Sequence, residues 1–234
     1  MSHFFRHLLL FTVRVSDPWH RREGDVPSAC FGMGAYSDFG WYLAGESSVR
    51  ADTLAQMERW LLDCHYATDP ELFHERDHWQ HPSEFEQLRR GDCEDFAVWA
   101  WRKLIERGYD AELVVGRYAG DAGLAGGHAW IVYRQSGRLY VFDPVVRDPA
   151  RMIRPLKEVR HCYCPEFSVD AGLRRFVYDG YLIRLRRIDR GRILLTEALH
   201  RGMRFLLPVR RATYRLMHRS DAAPETPAPA HSIS

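Results

Sequence analysis

Apolar residues recur at helical spacing through the first half of the chain and at strand-like spacing through the second. Leu54, Met57, Leu61 and Cys64 fall three or four apart, which predicts a helix over Asp52–Ala67. Ser83-Glu84-Phe85-Glu86 is a capping-box pattern and opens a short helix that ends at Gly91. A third helix follows at once. Asp92 is a good N-cap, Asp95 lies three residues on, and Gly108 supplies the stop. Phe96, Ala97, Ala100, Trp101, Leu104 and Ile105 make its apolar face. Strand-like runs come next at Glu112–Tyr118, His128–Tyr133 and Leu139–Phe142, with a hairpin turn at Gln135-Ser136-Gly137. Helices followed by an antiparallel meander predict an α+β domain. Residues 3–15 could add a strand, and the Gly-, Ser- and Pro-rich stretch 17–50 reads as a loop able to cover a site.

Composition adds a boundary to this picture. The chain has 234 residues, 46% of them hydrophobic, enough for one well-buried core and an appendage. The net charge of +2 conceals a split. Residues 174–219 hold thirteen Arg against three acids, a balance of +10 that leaves −8 for the rest. Within 190–219 the arginines are interleaved with Ile193, Leu194, Met203, Phe205 and Leu206, the composition of a basic amphipathic helix pair broken near Gly202 and Pro208. Such a segment could meet an acidic partner or an anionic membrane surface, or pack on its own domain. No nucleic-acid fold motif accompanies the charge, so no nucleic acid is expected. The organisation expected is a domain over 1–189, a helical extension over 190–219 and a disordered tail over 220–234. Five cysteines form no regular framework, which points to free thiols and a cytoplasmic protein. The apolar run Leu8-Leu9-Leu10-Phe11 is too short to span a membrane.

The candidate chemistry lies in three short strings. Cys93 is expected at the first position of the third helix, where unpaired N–H groups and the helix dipole favour a thiolate. Asp92 and Glu94 oppose it, so a partner imidazolium is required. His128 can supply one, and Asp143 can orient it. A two-residue turn at Gln135-Ser136 would put Asp143 opposite His128, a four-residue turn would make the pair diagonal on the same face, and a three-residue turn would put them on opposite faces. Gly126-Gly127 leaves open space beside the histidine.

Gly91-Asp92-Cys93-Glu94-Asp95-Phe96-Ala97, Gly127-His128-Ala129-Trp130 and Phe142-Asp143-Pro144 resemble the transglutaminase-like superfamily, and within it the bacterial transglutaminase-like cysteine proteases. Asp77-His78-Trp79-Gln80-His81-Pro82 is similar to the segment leading into their nucleophile. The resemblance implies a papain-like core with the Cys93 helix packed on an antiparallel sheet. It implies Cys93 as nucleophile, His128 as base and acid, Asp143 as orienting carboxylate, and a thioester formed from a protein, peptide or small amide. The Cys93 N–H, with Trp79 or Gln80, is the candidate oxyanion donor set. The related proteases suggest a calcium role for Asp92, Glu94 and Asp95. Capping and the helix dipole already account for those acids, so no metal or cofactor is assigned. His161-Cys162-Tyr163-Cys164 with Cys64-His65 is too narrowly spaced for zinc. The alternative is a catalytically silent module that binds through its Arg-rich C-terminal segment.

Overall fold

The computed structural model describes residues 17–119 and 125–181. The strand expected at 3–15, the helix pair at 190–219 and the tail at 220–234 lie outside the described residues. The described residues all fall within one compact unit.

The stretch read as loop carries short elements: β1 (Arg21–Glu23), a 3-10 turn (Ser28–Cys30) and α1 (Gly40–Leu43). Then come α2 (Leu54–Leu62), β2 (His65–Tyr66), α3 (Asp69–Leu72), α4 (Pro82–Leu88) and β3 (Arg90–Gly91). The Cys93 helix is α5 (Cys93–Glu106). After it run β4 (Asp110–Ala119), β5 (Ala125–Gln135), β6 (Arg138–Phe142), α6 (Pro149–Met152), β7 (Ile153–Pro155), α7 (Leu156–Val159), β8 (Tyr163–Asp170) and β9 (Arg175–Tyr178).

Two helices are shorter than their apolar pattern suggests. Thr53 caps α2, accepting from the Gln56 amide at 3.2 Å. The helix stops nine residues on because the chain turns to pair in parallel with β3, where His65 N–H donates to Arg89 O and Ala67 N–H to Gly91 O, both at 2.8 Å. At α4 the cap is His81 and not Ser83, because Pro82 fits the first helical position, where a missing N–H costs nothing. That helix ends at Leu88 with Arg89 left-handed (φ 51°), which frees Arg90-Gly91 for the bridge to β2.

The expected meander is the centre of a larger sheet. Its order is β1-β9-β8-β4-β5-β6-β7, and every neighbouring pair is antiparallel. The β5–β6 turn is Ser136-Gly137, with φ of 48° and 75°, as a two-residue primed turn requires. The register is therefore two positions from the one expected for a turn at Gln135-Ser136.

Helix α5 packs on β4 and β5 and is buried on nearly every side, not on one face. Ala97, Ala100, Trp101 and Leu104 belong to the main hydrophobic core, and Phe96 packs on Phe85 of α4, with ring centroids 4.8 Å apart. On the other side Trp99 stacks on Trp60 at 4.1 Å and donates to Glu86 at 2.9 Å. Arg102 and Lys103, charged yet buried, are satisfied by the loop between α1 and α2. Arg102 donates to Ala44 O (3.1 Å) and Gly45 O (2.6 Å), and Lys103 donates to Val49 O (2.8 Å) and to Ser47. Leaving either cation unpaired would cost several kcal/mol, on the order of 3–5, so these contacts fix the rotation of α5 and the direction in which Cys93 leaves it.

Candidate active site

Cys93 is the first residue of α5, with Asp92 in an extended N-cap conformation before it. Asp95 closes the cap, accepting from the Asp92 N–H at 3.1 Å. Its carboxylate also accepts from the Gln80 backbone N–H (2.8 Å) and Gln80 Nε2 (2.7 Å), so the segment before α4 is tied to the start of α5. Gly91 is required there, since a Cβ would lie 2.3 Å from Asp95 Oδ2.

The thiol opens on a cleft of about 440 Å³ whose walls include Gly32, Trp79, Gly116, Gly127, His128 and Glu166. Strand β5 brings His128 to this cleft, and the Ala129 N–H next to it donates to the Cys93 sulfur. His128 Nε2 is 2.9 Å from Asp143 Oδ2. Asp143 follows β6 directly, and the observed register sets it diagonal to His128 on the same face. The ring nitrogen left over is Nδ1. Trp130 lies along the histidine, with ring centroids 6.0 Å apart and planes 28° apart. Tyr163 of β8, unforeseen in the sequence, donates to the same Asp143 Oδ2 at 2.8 Å. It sits inside the string weighed as a zinc motif, and nothing local marked it. No metal-ligating group among the described residues includes Cys162 or Cys164. Cys64 is buried, and burial pushes its thiol up to about 12, the mark of an inert side chain.

A bulge shapes the opposite wall. The β4–β8 register slips between Val115 and Gly116, and Glu166, beside the slip on β8, lines the cleft. Gly116 permits the approach, because a Cβ there would lie 2.3 Å from Cys164 O.

The two oxyanion candidates are placed differently from expectation. Gln80 is 1% exposed, and its Nε2 is committed to Arg90 O (2.9 Å) and Asp95, so its contacts support a role in anchoring α5 and not in the cleft. Trp79 does line the cleft, but its indole N–H donates to Asp77 Oδ1 at 3.1 Å.

The electrostatics depart from the helix-dipole expectation. The Cys93 thiol donates to Glu94 Oε2 at 3.1 Å. Its pKa is pushed well above the ordinary thiol value by burial first and then by the Glu94 and Asp92 carboxylates, with the Ala129 amide working the other way. The carboxylates themselves are crowded. Asp69 from α3 and Asp77 from the segment before α4 join Asp92, Glu94 and Asp95 in overlapping triplets whose oxygens lie within 4.8 Å of one another. Burial, the largest cause, and the neighbouring acids raise Asp69 to about 6, raise Asp92, and hold Glu94 and Asp95 well above the carboxylate range. Asp69 Oδ1, Asp92 Oδ1 and Gln80 Oε1 are buried with no protein donor among the described residues. All-oxygen donors, excess negative charge and orphaned acceptors fit a hard dication such as calcium. The sequence showed three of these acids as capping residues. Asp69 and Asp77 arrive from elsewhere in the chain.

No family model and no curated protein matches the chain. Among solved structures it is similar to calcium-bound LapG of Legionella pneumophila, a transglutaminase-like cysteine protease. The identity is 21%, over 50% of this chain and 62% of that one, with a TM-score of 0.39. The likeness is to cysteine proteases. EGTA-treated LapG gives the same identity and TM-score over 61% of its chain. A candidate cysteine protease from Cytophaga hutchinsonii is 13% identical over 53% of this chain and 50% of that one, with a TM-score of 0.33. The chain thus spans under two thirds of the length of these structures, and TM-scores this low leave the chemistry to be argued from the side chains.

Proposed function

We propose that the chain is a thiol-dependent acyl-transfer enzyme acting on a peptide, isopeptide or other amide bond. The observation that carries this reading is the His128–Asp143 contact of 2.9 Å on the wall of the cleft that Cys93 enters. Asp143 accepts the Nε2 proton, which holds the tautomer that leaves Nδ1 as the base. Nδ1 takes the Cys93 proton as sulfur attacks the carbonyl carbon, then gives it to the departing nitrogen. The C–N bond breaks and a thioester remains. Water or an amine attacks that thioester, and Nδ1 again takes and returns the proton. The backbone N–H of Cys93, at the first position of α5, is the donor available to the oxyanion, since those of Glu94 and Asp95 serve the Asp92 carboxylate.

Asp69, Asp77, Asp92 and Glu94 would hold a calcium ion, whose charge would cancel the field that these carboxylates exert on the thiol. Without such relief Cys93 stays protonated near neutral pH, because its carboxylate neighbours outweigh the dipole.

The test is alkylation by iodoacetamide across pH, in calcium and in chelator, for wild type, Cys93→Ala and His128→Ala. In calcium one thiol reacts well below pH 8. That reaction is lost in the first variant and blunted in the second. Reactivity of Cys93 that ignores His128 would overturn the enzyme reading and favour a silent binding module.

A further inference from the structure

We propose that Tyr163 is a positioning residue for the Asp143–His128 pair, a role that rests on the acyl-transfer reading. Asp143 is 2% exposed, and its Oδ1 has no protein donor among the described residues. The buried carboxylate is therefore held through Oδ2 by two donors, His128 Nε2 at 2.9 Å and the Tyr163 hydroxyl at 2.8 Å. A carboxylate held by one donor can swing about its last bond through a range of planes. The phenol restrains that swing, since turning the carboxylate out of its present plane strains both bonds to the oxygen that His128 and Tyr163 share.

The placement of the phenol is itself rigid. Tyr163 lies opposite Tyr118 in the β4–β8 register, and its ring packs between Tyr118 at 4.9 Å and Trp130 at 5.0 Å. Burial, then the Asp143 charge, push its pKa far up, so the hydroxyl keeps its proton and donates at every working pH. Arg154 of β7 is near enough to that hydroxyl to work against the rise. The groups that touch the Asp143 carboxylate are His128 from β5 and Tyr163 from β8, with Arg154 from β7 acting on the phenol. A phenylalanine would fill the same space, and what it would lack is the donor to the anion.

An anion with one donor fewer holds protons more tightly, on itself and on the imidazolium it faces. The experiment follows the His128 ring by nitrogen-15 NMR across pH in full-length Cys93→Ala protein, with and without Tyr163→Phe, the signal being assigned by its loss in His128→Gln. Tyr163→Phe is expected to move the His128 titration to higher pH by about half a unit to one unit. It should also introduce a second tautomer at high pH. Superimposable titrations with one tautomer, whatever the melting temperature, would overturn the proposal and leave Tyr163 a packing residue. Failure of the enzyme reading shows separately, as Cys93 alkylation that ignores His128 in the parent protein.

Discussion

In chelator, the protein should become more stable as pH falls from 7 to 5, the reverse of the usual acid response. Asp69 is the clearest source. Its carboxyl is raised from 3.8 to about 6, so the folded state takes up a proton well before the unfolded chain does. Stability then falls with rising pH over that interval, because the native state binds more protons than the unfolded one. At about 1.4 kcal/mol per pH unit, a carboxyl lifted to about 6 contributes about 1.3 kcal/mol between pH 7 and pH 5, and screening by water in the cleft lowers it to about 0.5–1 kcal/mol. For a domain of this size that is a rise of about 1–4 °C in melting temperature over that interval. Asp92, Glu94 and Asp95 are raised too and add in the same direction. The window closes near pH 5. Below it the unfolded chain begins to take up a proton that folded Glu86 resists, because Ser47, Trp99 and Ser48 hold this buried carboxylate below its ordinary value against the opposing effect of burial. The assay is thermal unfolding in buffers of matched ionic strength with chelator, then with millimolar calcium. Calcium should raise the melting temperature most at pH 7 and least at pH 5, where protons compete for the same oxygens. Asp69→Asn should flatten the chelator slope. A melting temperature that falls steadily from pH 7 to 5 in chelator, or a slope that Asp69→Asn leaves intact, would refute the reasoning.

Asp143→Asn should reduce turnover of an amide substrate by about 10⁴-fold at unchanged far-UV circular dichroism, because the amide can donate to Nε2 and so favour the wrong tautomer. Gly116→Ala should lower stability by about 2–4 kcal/mol in urea unfolding, since its Cβ would lie 2.3 Å from the Cys164 carbonyl oxygen. Ser136→Asn should raise stability by about 0.5–1 kcal/mol in the same assay, as asparagine tolerates the left-handed backbone (φ 48°) that Ser136 adopts in the β5–β6 turn.

What could be read in the sequence was what local chemistry dictates. The Asp92 cap, the Gly108 stop and the apolar spacing of α5 describe one continuous segment, and the helix runs from Cys93 to Glu106. The parity of β5 and β6 was legible as well, because a side chain's face depends on an even or odd offset and survives a two-residue shift in register. Non-local relations were not. Nothing near Asp69 or Asp77 says that α3 and the segment before α4 deliver carboxylates to the start of α5. Nothing near Tyr163 says that β8 pairs with β4 and brings a phenol to Asp143. Gln80 was offered with Trp79 as a side-chain donor because their segment resembles the one leading into the nucleophile, and of the two Trp79 lines the cleft. Adjacent residues of an extended segment point to opposite sides, and Gln80 went to Asp95. The opposition of Asp92 and Glu94 to a thiolate was legible, because both flank Cys93; the burial that adds most to the rise in its pKa is assembled in three dimensions.

Among the described residues the two outermost strands of the large sheet are each three residues long, and this has a bearing on solubility. Strands β4 and β5 are ten and eleven residues of well-paired backbone, the kind that recruits other chains when left uncovered. At one border β7 ends in Pro155, which has no N–H to offer a newcomer. At the other β1 reads Arg21-Arg22-Glu23, and the Arg21 guanidinium lies 4.0 Å over the Phe176 ring of β9. Charge and proline thus guard the rims. A version of the protein trimmed past Glu23 would bare β9, with Phe176 and Tyr178, as a new rim, and self-association would be the first symptom of that cut, ahead of any loss at the cleft.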